Sequence, residues 1–233
     1  MKILVFSDIH SNIYALEQLL QTQDYKDSDL KIVLGDYVVM GPRPNETMQK
    51  ILEQDCIKLI GNNDSYVANF LPQDEVQAMP LDRQQHIEYV RNVLNPEYID
   101  VLKNLPYEYV YKTKNHTLYF THYAWENNYN VKDCPITPTA QDLYQAFGDI
   151  KAEYVFFGHK HEPVGGKINN TTYVGVGSLG MSYPANYVVI DIDKDDNIQV
   201  VRKTLDFDFD KMKQDMLDQN YVCNQTFLNF FNK

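Results

Sequence analysis

A chain of 233 residues with 44% apolar content can bury a substantial core, and one domain over 1–233 is the expectation. Its 32 acidic and 21 basic residues leave a formal charge of −11, which argues against a broad nucleic-acid-binding face, since phosphate-backbone binding needs clustered Lys and Arg. No run approaches the ~18 apolar residues of a membrane span. The opening segment meets Asp8 too soon for a secretory leader. Cys56, Cys134 and Cys223 are odd in number and form no C-x-x-C pair, so free thiols in a reducing compartment, and a cytoplasmic protein, are expected.

In chain order, residues 2–6 form an apolar run that suits a strand, and 13–20 suit a helix with Ile13, Leu16, Leu19 and Leu20 on one face. Residues 31–34 predict a second strand, 46–53 a helix and 56–60 a third short strand. This alternation suggests a sheet with crossover helices. From 65 to 105 the pattern turns helical. Residues 81–94 place Ile87, Val90, Val93 and Leu94 on one side, and Pro96 and Pro106 punctuate the next helical piece. The second half is strand-rich: 107–112, 117–121, 154–157, 172–176, 187–191 and 198–204, with a helix over 139–147. A tail over 206–233 carries Met212, Met216 and Leu217 at helical spacing, then Phe227, Phe230 and Phe231. That aromatic end either packs back on the core or makes a homodimer contact.

Metal-ligand side chains follow five of the apolar runs. Asp8 and His10 come after the first, Asp36 after the second and Asn62 after the third. His122 follows 117–121, and His159 and His161 follow 154–157. Metal ions need donors that converge, and strand ends in an open α/β sheet line one crevice. Asp8 and His10, two apart, are expected to point the same way from extended backbone. Seven oxygen and nitrogen donors are enough for two ions. His86 and His116 have no ligand-spaced partner and are expected at the surface.

The ordered blocks Asp8-Ile9-His10, Gly35-Asp36, Gly61-Asn62-Asn63-Asp64, His122 and Gly158-His159-Lys160-His161 resemble those of the calcineurin-like metallophosphoesterase superfamily. The compact size, and the segment from Gly175 to Gly180, look like its small bacterial phosphodiesterase-like members. The resemblance implies an α/β fold: a four-layer sandwich of two mixed β-sheets flanked by helices, with the helical insertion 65–105 beside the metal site. It implies two divalent transition-metal ions, manganese first, with iron, zinc or nickel also compatible. One would take Asp8, His10 and His161, the other Asn62, His122 and His159, with Asp36 bridging. A metal-bridging hydroxide would be the nucleophile.

Many relatives carry a histidine beside the metal-binding Asn to assist the departing oxygen. Asn63 stands there instead; it can donate a hydrogen bond but cannot transfer a proton. Since general acid catalysis is worth about 10²–10⁴-fold, poor leaving groups should suffer most. A phosphodiesterase acting on a small phosphorylated molecule is therefore expected. The alternatives are a phosphomonoesterase acting on phosphoprotein, nucleotide or dinucleoside polyphosphate, and a metal-binding relative without catalysis. Asp64 is expected to orient Asn63, a bound water or a ligand, or else to cap the following turn. Arg43, in a Pro-flanked loop, could meet substrate phosphate. Tyr37 and Tyr123 are candidate aromatic walls, as are Tyr66 and Trp125.

Overall fold

The computed structural model describes residues 1–68, 70–133, 135–148, 150–219 and 227–231. The first half alternates β1 (Lys2–Phe6), α1 (Ile13–Gln21), α2 (Gln23–Asp27), β2 (Leu30–Val33), α3 (Pro44–Leu52) and β3 (Ile57–Lys58). Four helices follow: α4 (Asn62–Val67), α5 (Gln73–Ala78), α6 (Leu81–Val93) and α7 (Pro96–Lys103). Next come β4 (Glu108–Lys112), β5 (Thr117–Thr121), α8 (Ala140–Phe147), β6 (Tyr154–Phe157), β7 (Gly165–Ile168), β8 (Thr171–Gly175), β9 (Ala185–Ile192), β10 (Ile198–Leu205) and α9 (Phe209–Asp218). A short 3-10 turn covers Asn229–Phe231.

Two five-stranded mixed sheets result, ordered β10-β9-β1-β2-β3 and β4-β5-β6-β8-β7. Within each, three neighbouring strands run parallel and the remaining pairs antiparallel. Both faces of β1 are buried, so its run is continuously apolar rather than alternating. Ile3 and Val5 meet Phe120, Phe156 and Val174 between the sheets. Leu4 and Phe6 point the other way, onto Leu16 and Leu19 of α1 and Met48 of α3. On the far side of the second sheet, Leu143, Ala146 and Phe147 of α8 cover Val155, Phe157 and Tyr173. The order of layers is helix, sheet, sheet, helix, with α4–α7 standing beside the site.

The registers place the loops at the strand ends. Phe6 pairs with Val33, and Thr121 with Phe157, so the loops leaving β1, β2, β5 and β6 start level with one another. The third strand is shorter than the run over 56–60, because Ile60 donates its N–H to Pro106 rather than to β2. The edge strand β7 has the sequence Gly-Gly-Lys-Ile, without a hydrophobic pattern that would announce it.

The chain end folds back on the core. Met212, Met216, Phe227 and Leu228 are buried in the same cluster as α1 and α3, and Phe231 packs against it. Of the three cysteines, Cys56 is a free, half-buried thiol; Cys134 and Cys223 lie outside the described residues, as does the side chain of Phe230. Among the described residues, no helix is long and apolar enough to cross a membrane.

Candidate metal centre

Six of the seven donor side chains stand on loops and Asn62 opens α4, and left-handed backbone aims four of them. Asp8 (φ 55°), His10 (φ 49°), Asp36 (φ 55°) and His159 (φ 65°) all have positive φ. Asp8 and His10 therefore converge through a left-handed turn after Phe6, not through the pleat of an extended strand. Such conformations are uncommon for residues other than glycine and are held by their surroundings. Here the surroundings are specific: Asp8 N–H donates to Gly35 O (3.0 Å), His10 N–H to Asp36 O (2.9 Å) and Leu179 N–H to Ser7 O (2.9 Å). Close approach also demands glycine at Gly158, where a Cβ would sit 2.0 Å from Ser7 Oγ and 2.6 Å from Asp8 Oδ2.

Two groups of donors form. Asp8, His10 and His161 bring their donor atoms within 4.8 Å of one another, and Asp8, Asp36 and His122 do the same. Asn62 Oδ1 lies 2.9 Å from both His122 Nε2 and His159 Nδ1. Asp36 Oδ2 lies between the groups, 3.7 Å from His10 Nε2 and 3.5 Å from His122 Nε2. Asp8 offers an oxygen to both clusters. His122 Nδ1 faces Leu34 O at 3.1 Å; an N–H there leaves Nε2 with its lone pair aimed at the site.

The donor set fits a pair of divalent cations. His10 Nε2 and His161 Nε2 face each other at 3.0 Å; with each ring protonated on Nδ1 both lone pairs are left for a shared cation, and with a proton on one Nε2 the two rings hydrogen-bond. The nitrogen and oxygen donors suit a transition metal. Burial and neighbouring charges act differently on the individual donors. Burial alone would raise the Asp8 carboxyl, but hydrogen bonds with His10 and His161 and the charge of His122 hold it well below the usual range. Burial, then the neighbouring His122, pushes the His159 imidazole down to about 3, which keeps its ring neutral and ligating. For His10, burial acts downward but the Asp8, Asp36 and Asp64 carboxylates outweigh it and hold the imidazole above its ordinary value.

Asp64 and Asn63 act on Asp36. The Asp64 carboxylate accepts the backbone N–H groups of Asp36 (2.7 Å) and Gly61 (2.9 Å) on Oδ2 and of Tyr37 (2.9 Å) on Oδ1. It thus caps α4 and clamps the loop after β2 at once. Burial and then the Asp36 charge push this carboxyl up to about 7, against the pull of the backbone donors and His122. Asn63 donates its backbone N–H to Asp36 Oδ1 (2.9 Å) and its side-chain Nδ2–H to Asp36 Oδ2 (2.6 Å). Its side chain is turned toward the Asp36 carboxylate, because Asn62–Asp64 form the first turn of α4, a helix the sequence pattern does not announce.

Burial and pairing define the surroundings of Tyr37, Tyr123 and Arg43 and correct the surface expectation for His86. Tyr37 is 1% exposed and its hydroxyl donates to Leu59 O, while the Tyr123 ring is wedged against Phe147, Phe157 and His159; both prop the site from within. Arg43 does not face the centre: its guanidinium clasps Asp215 through Nε (2.7 Å) and Nη2 (2.5 Å) and reaches Glu46 through Nη1. His86 is 1% exposed rather than on the surface, and its Nε2 accepts the Met40 N–H at 2.7 Å where α6 leans on the loop after Asp36. His116 is half-buried, edge-on to Tyr154. Of the other aromatics, Tyr66 is buried, and the Trp125 ring stands 6.3 Å from that of His122.

Asn12 escaped the motif reading, and Ser178, within the segment from Gly175 to Gly180, carries no role there. Ser178 Oγ donates to Asp8 O (2.8 Å) and accepts the Met181 N–H, and Asn12 Nδ2 donates to Gly180 O (2.9 Å) while its Oδ1 caps α1. The one signal for Asn12 is its place just before an apolar-periodic run, which marks a helix start.

Two facing mixed sheets with a nitrogen-and-oxygen donor cluster at their strand ends define a dinuclear metallohydrolase. The chain belongs to the calcineurin-like phosphoesterase superfamily, whose domain model matches residues 1–195. An uncharacterized protein of Methanocaldococcus jannaschii is 28% identical over 225 residues, covering 88% of each chain. Among solved structures, a metallophosphoesterase from Sphaerobacter thermophilus superposes with a TM-score of 0.70 at 21% identity, and a hypothetical protein from Pyrococcus horikoshii with 0.78 at 16% identity. Each match covers 94% of both chains. These two likenesses concern the fold. The family and the donor clusters together make the protein a metal-dependent phosphoesterase with a dinuclear site.

Proposed function

We propose that the protein is a phosphodiesterase acting on a small phosphorylated molecule, with manganese the first choice of metal. Asp8, His10 and His161 would hold one ion and Asn62, His122 and His159 the other, with Asp36 between them. Bound there, the metal pair supplies Lewis acidity and an activated water as nucleophile. The chain's own work is to hold the donors, exclude water from the buried side and set which phosphoester fits.

One observation supports diester over monoester: the Arg43 guanidinium is committed to Asp215. A phosphomonoester arrives with close to two negative charges and gains from a fork-shaped cation, whereas a diester carries one. Asn63, which cannot protonate a departing oxygen, favours substrates whose leaving group needs no proton. Hydrolysis of an aryl phosphodiester beside the matched aryl monoester, in Mn²⁺, tests the reading. Faster diester turnover that vanishes in Asp36→Asn is the expected result; faster monoester turnover would move the assignment to phosphatase.

A further inference from the structure

Among the described residues, the donor cluster reaches solvent at His159 and His161. Asp8, His10, Asp36, Asn62 and His122 are at most 1% exposed, whereas 24% of the His161 side chain is accessible and His159 is half-buried. On that open side lies a cleft of about 540 Å³, with His159 and His161 on one wall and Ile136, Met181, Tyr183 and Phe231 among the other lining residues. This volume is in the range of small-molecule sites.

We propose that this cleft selects the substrate: it takes a planar aromatic group carried on the phosphorus, stacked on Tyr183. The proposal rests on the phosphoesterase reading above and names the substrate class of the same site. Its first support is the state of the Tyr183 ring. Phe207 holds it edge-on at 5.4 Å and Phe209 lies against it at 5.2 Å, itself backed by Phe231 at 5.0 Å. The ring is fixed by this cluster yet remains 51% exposed. A rigid, half-exposed aromatic loses little entropy on stacking with a flat partner. Ile136, 85% exposed, adds a second apolar surface to the same cleft.

The polar members of the lining decide against an all-apolar occupant. Ser182, Asn186, Lys160 and Glu162 share the cleft with these apolar groups. An acyl chain would desolvate them without offering partners, whereas an aryl ring with polar substituents, or a nucleobase, presents a polar edge. The cleft is also anchored to the ligand loop: Ser182 Oγ donates to His161 O at 3.1 Å, and Ser178 N–H donates to the same carbonyl at 3.0 Å. The stacking wall and the metal ligands are thereby held in one frame.

The test compares binding of phosphonates, which have no ester bond to break, to the Mn²⁺-loaded protein by calorimetry. Phenylphosphonate should bind about tenfold or more tightly than methylphosphonate, the size of effect that aromatic stacking gives. Tyr183→Ala should bring that ratio to about one, while Tyr183→Phe should keep it and serve as the folded control. A methylenephosphonate analogue of adenosine monophosphate separates the two aromatic sources: tighter binding than phenylphosphonate assigns the cleft to a nucleobase, equal binding to an aryl group. Equal affinity for phenyl and methyl in the wild type, no binding of phenylphosphonate, or a preference that survives Tyr183→Ala would each overturn the proposal. A dimer lost in Tyr183→Ala with the ratio unchanged would give the cleft to a second copy of the chain instead. Tyr183-dependent phosphonate binding without hydrolysis of any phosphodiester would sink the diesterase reading and leave the aromatic subsite standing.

Discussion

The Nε2 atoms of His10 and His161 meet at 3.0 Å although 151 positions separate them in the chain. Asp8 Oδ1 lies 3.7 Å from the first and 3.5 Å from the second. Two imidazole nitrogens and a carboxylate, of which only the His161 side chain reaches water, form an arrangement that suits a cation. Mn²⁺ at about 100 times its dissociation constant should therefore stabilise the fold by ~2.7 kcal/mol, raising Tm by roughly 5–10 °C. Asp8→Ala, which strips a donor from both clusters, should lose most of that rise in a thermal melt. An unchanged rise would place the ion elsewhere.

Asp64 holds the loop that carries Asp36 from below. In Asp64→Asn, an amide N–H would face backbone donors that now point at a carboxylate oxygen, leaving buried groups unsatisfied. The expected loss is ~3 kcal/mol, or about 6–12 °C in Tm. A shift below about 2 °C would mean that the loop is held by its other contacts.

Asn63 positions Asp36 in the geometry seen here. Asn63→Ala deletes the 2.6 Å hydrogen bond to Asp36 Oδ2, and loss of such a partner typically weakens metal binding about 10- to 100-fold. Calorimetric titration with Mn²⁺ should show that weakening. Unchanged metal affinity with a fallen kcat would instead put Asn63 at the departing oxygen.

The Arg43–Asp215 clasp ties α9 to the loop after Asp36, with Tyr14 adding a third hydrogen bond to Asp215 Oδ2 at 3.0 Å. Arg43 is 38% exposed, so solvent screening limits the contribution of the pair, and Asp215→Asn should cost about 1 kcal/mol near neutral pH. Burial would raise the Asp215 carboxyl, but Arg43, Gln219 and Tyr14 hold it below its usual range. The folded value is depressed, so the contribution is complete above the unfolded carboxyl pKa of about 4 and disappears as pH falls through the folded value. Urea denaturation should give a constant gap between wild type and variant from about pH 5 to 7 and a shrinking one toward pH 3. A gap that persisted at pH 3 would show that packing, not charge, carries the contact.

Much of this architecture is legible in the chain. The runs over 2–6, 117–121 and 154–157 become β1, β5 and β6 with those bounds; β1 and β6, buried on both faces, are almost continuously apolar, while β5 buries Leu118 and Phe120 in alternation. Pro96 and Pro106 bracket α7 as helix punctuation should. The edge strand β7 and the first turn of α4 are not legible. The first has two glycines and no apolar pattern, and the second is stabilised by an Asp64 carboxylate that serves two segments at once.

The candidate site divides along a similar line. The residue types of the donors, Asp8, His10, Asp36, Asn62, His122, His159 and His161, are a local property: each sits just past an apolar run, so order and chemistry are readable from the chain alone. How they converge is not local. It depends on left-handed backbone at four of them, with Asp8 and His10 held by the hydrogen bonds their N–H groups donate to the Gly35 and Asp36 carbonyls. Side-chain direction is still less local. Tyr37 and Tyr123 follow ligands closely and turn inward, Arg43 turns to a helix 172 residues away, and Tyr183, in a Ser-Tyr-Pro segment with no motif, faces the open side of the centre. The sequence by itself determined which chemistry the chain could do, because donor identity is written residue by residue. Only the tertiary structure decided which groups are buried or paired and which stand exposed beside the centre, because burial and pairing are set by segments far apart in the chain.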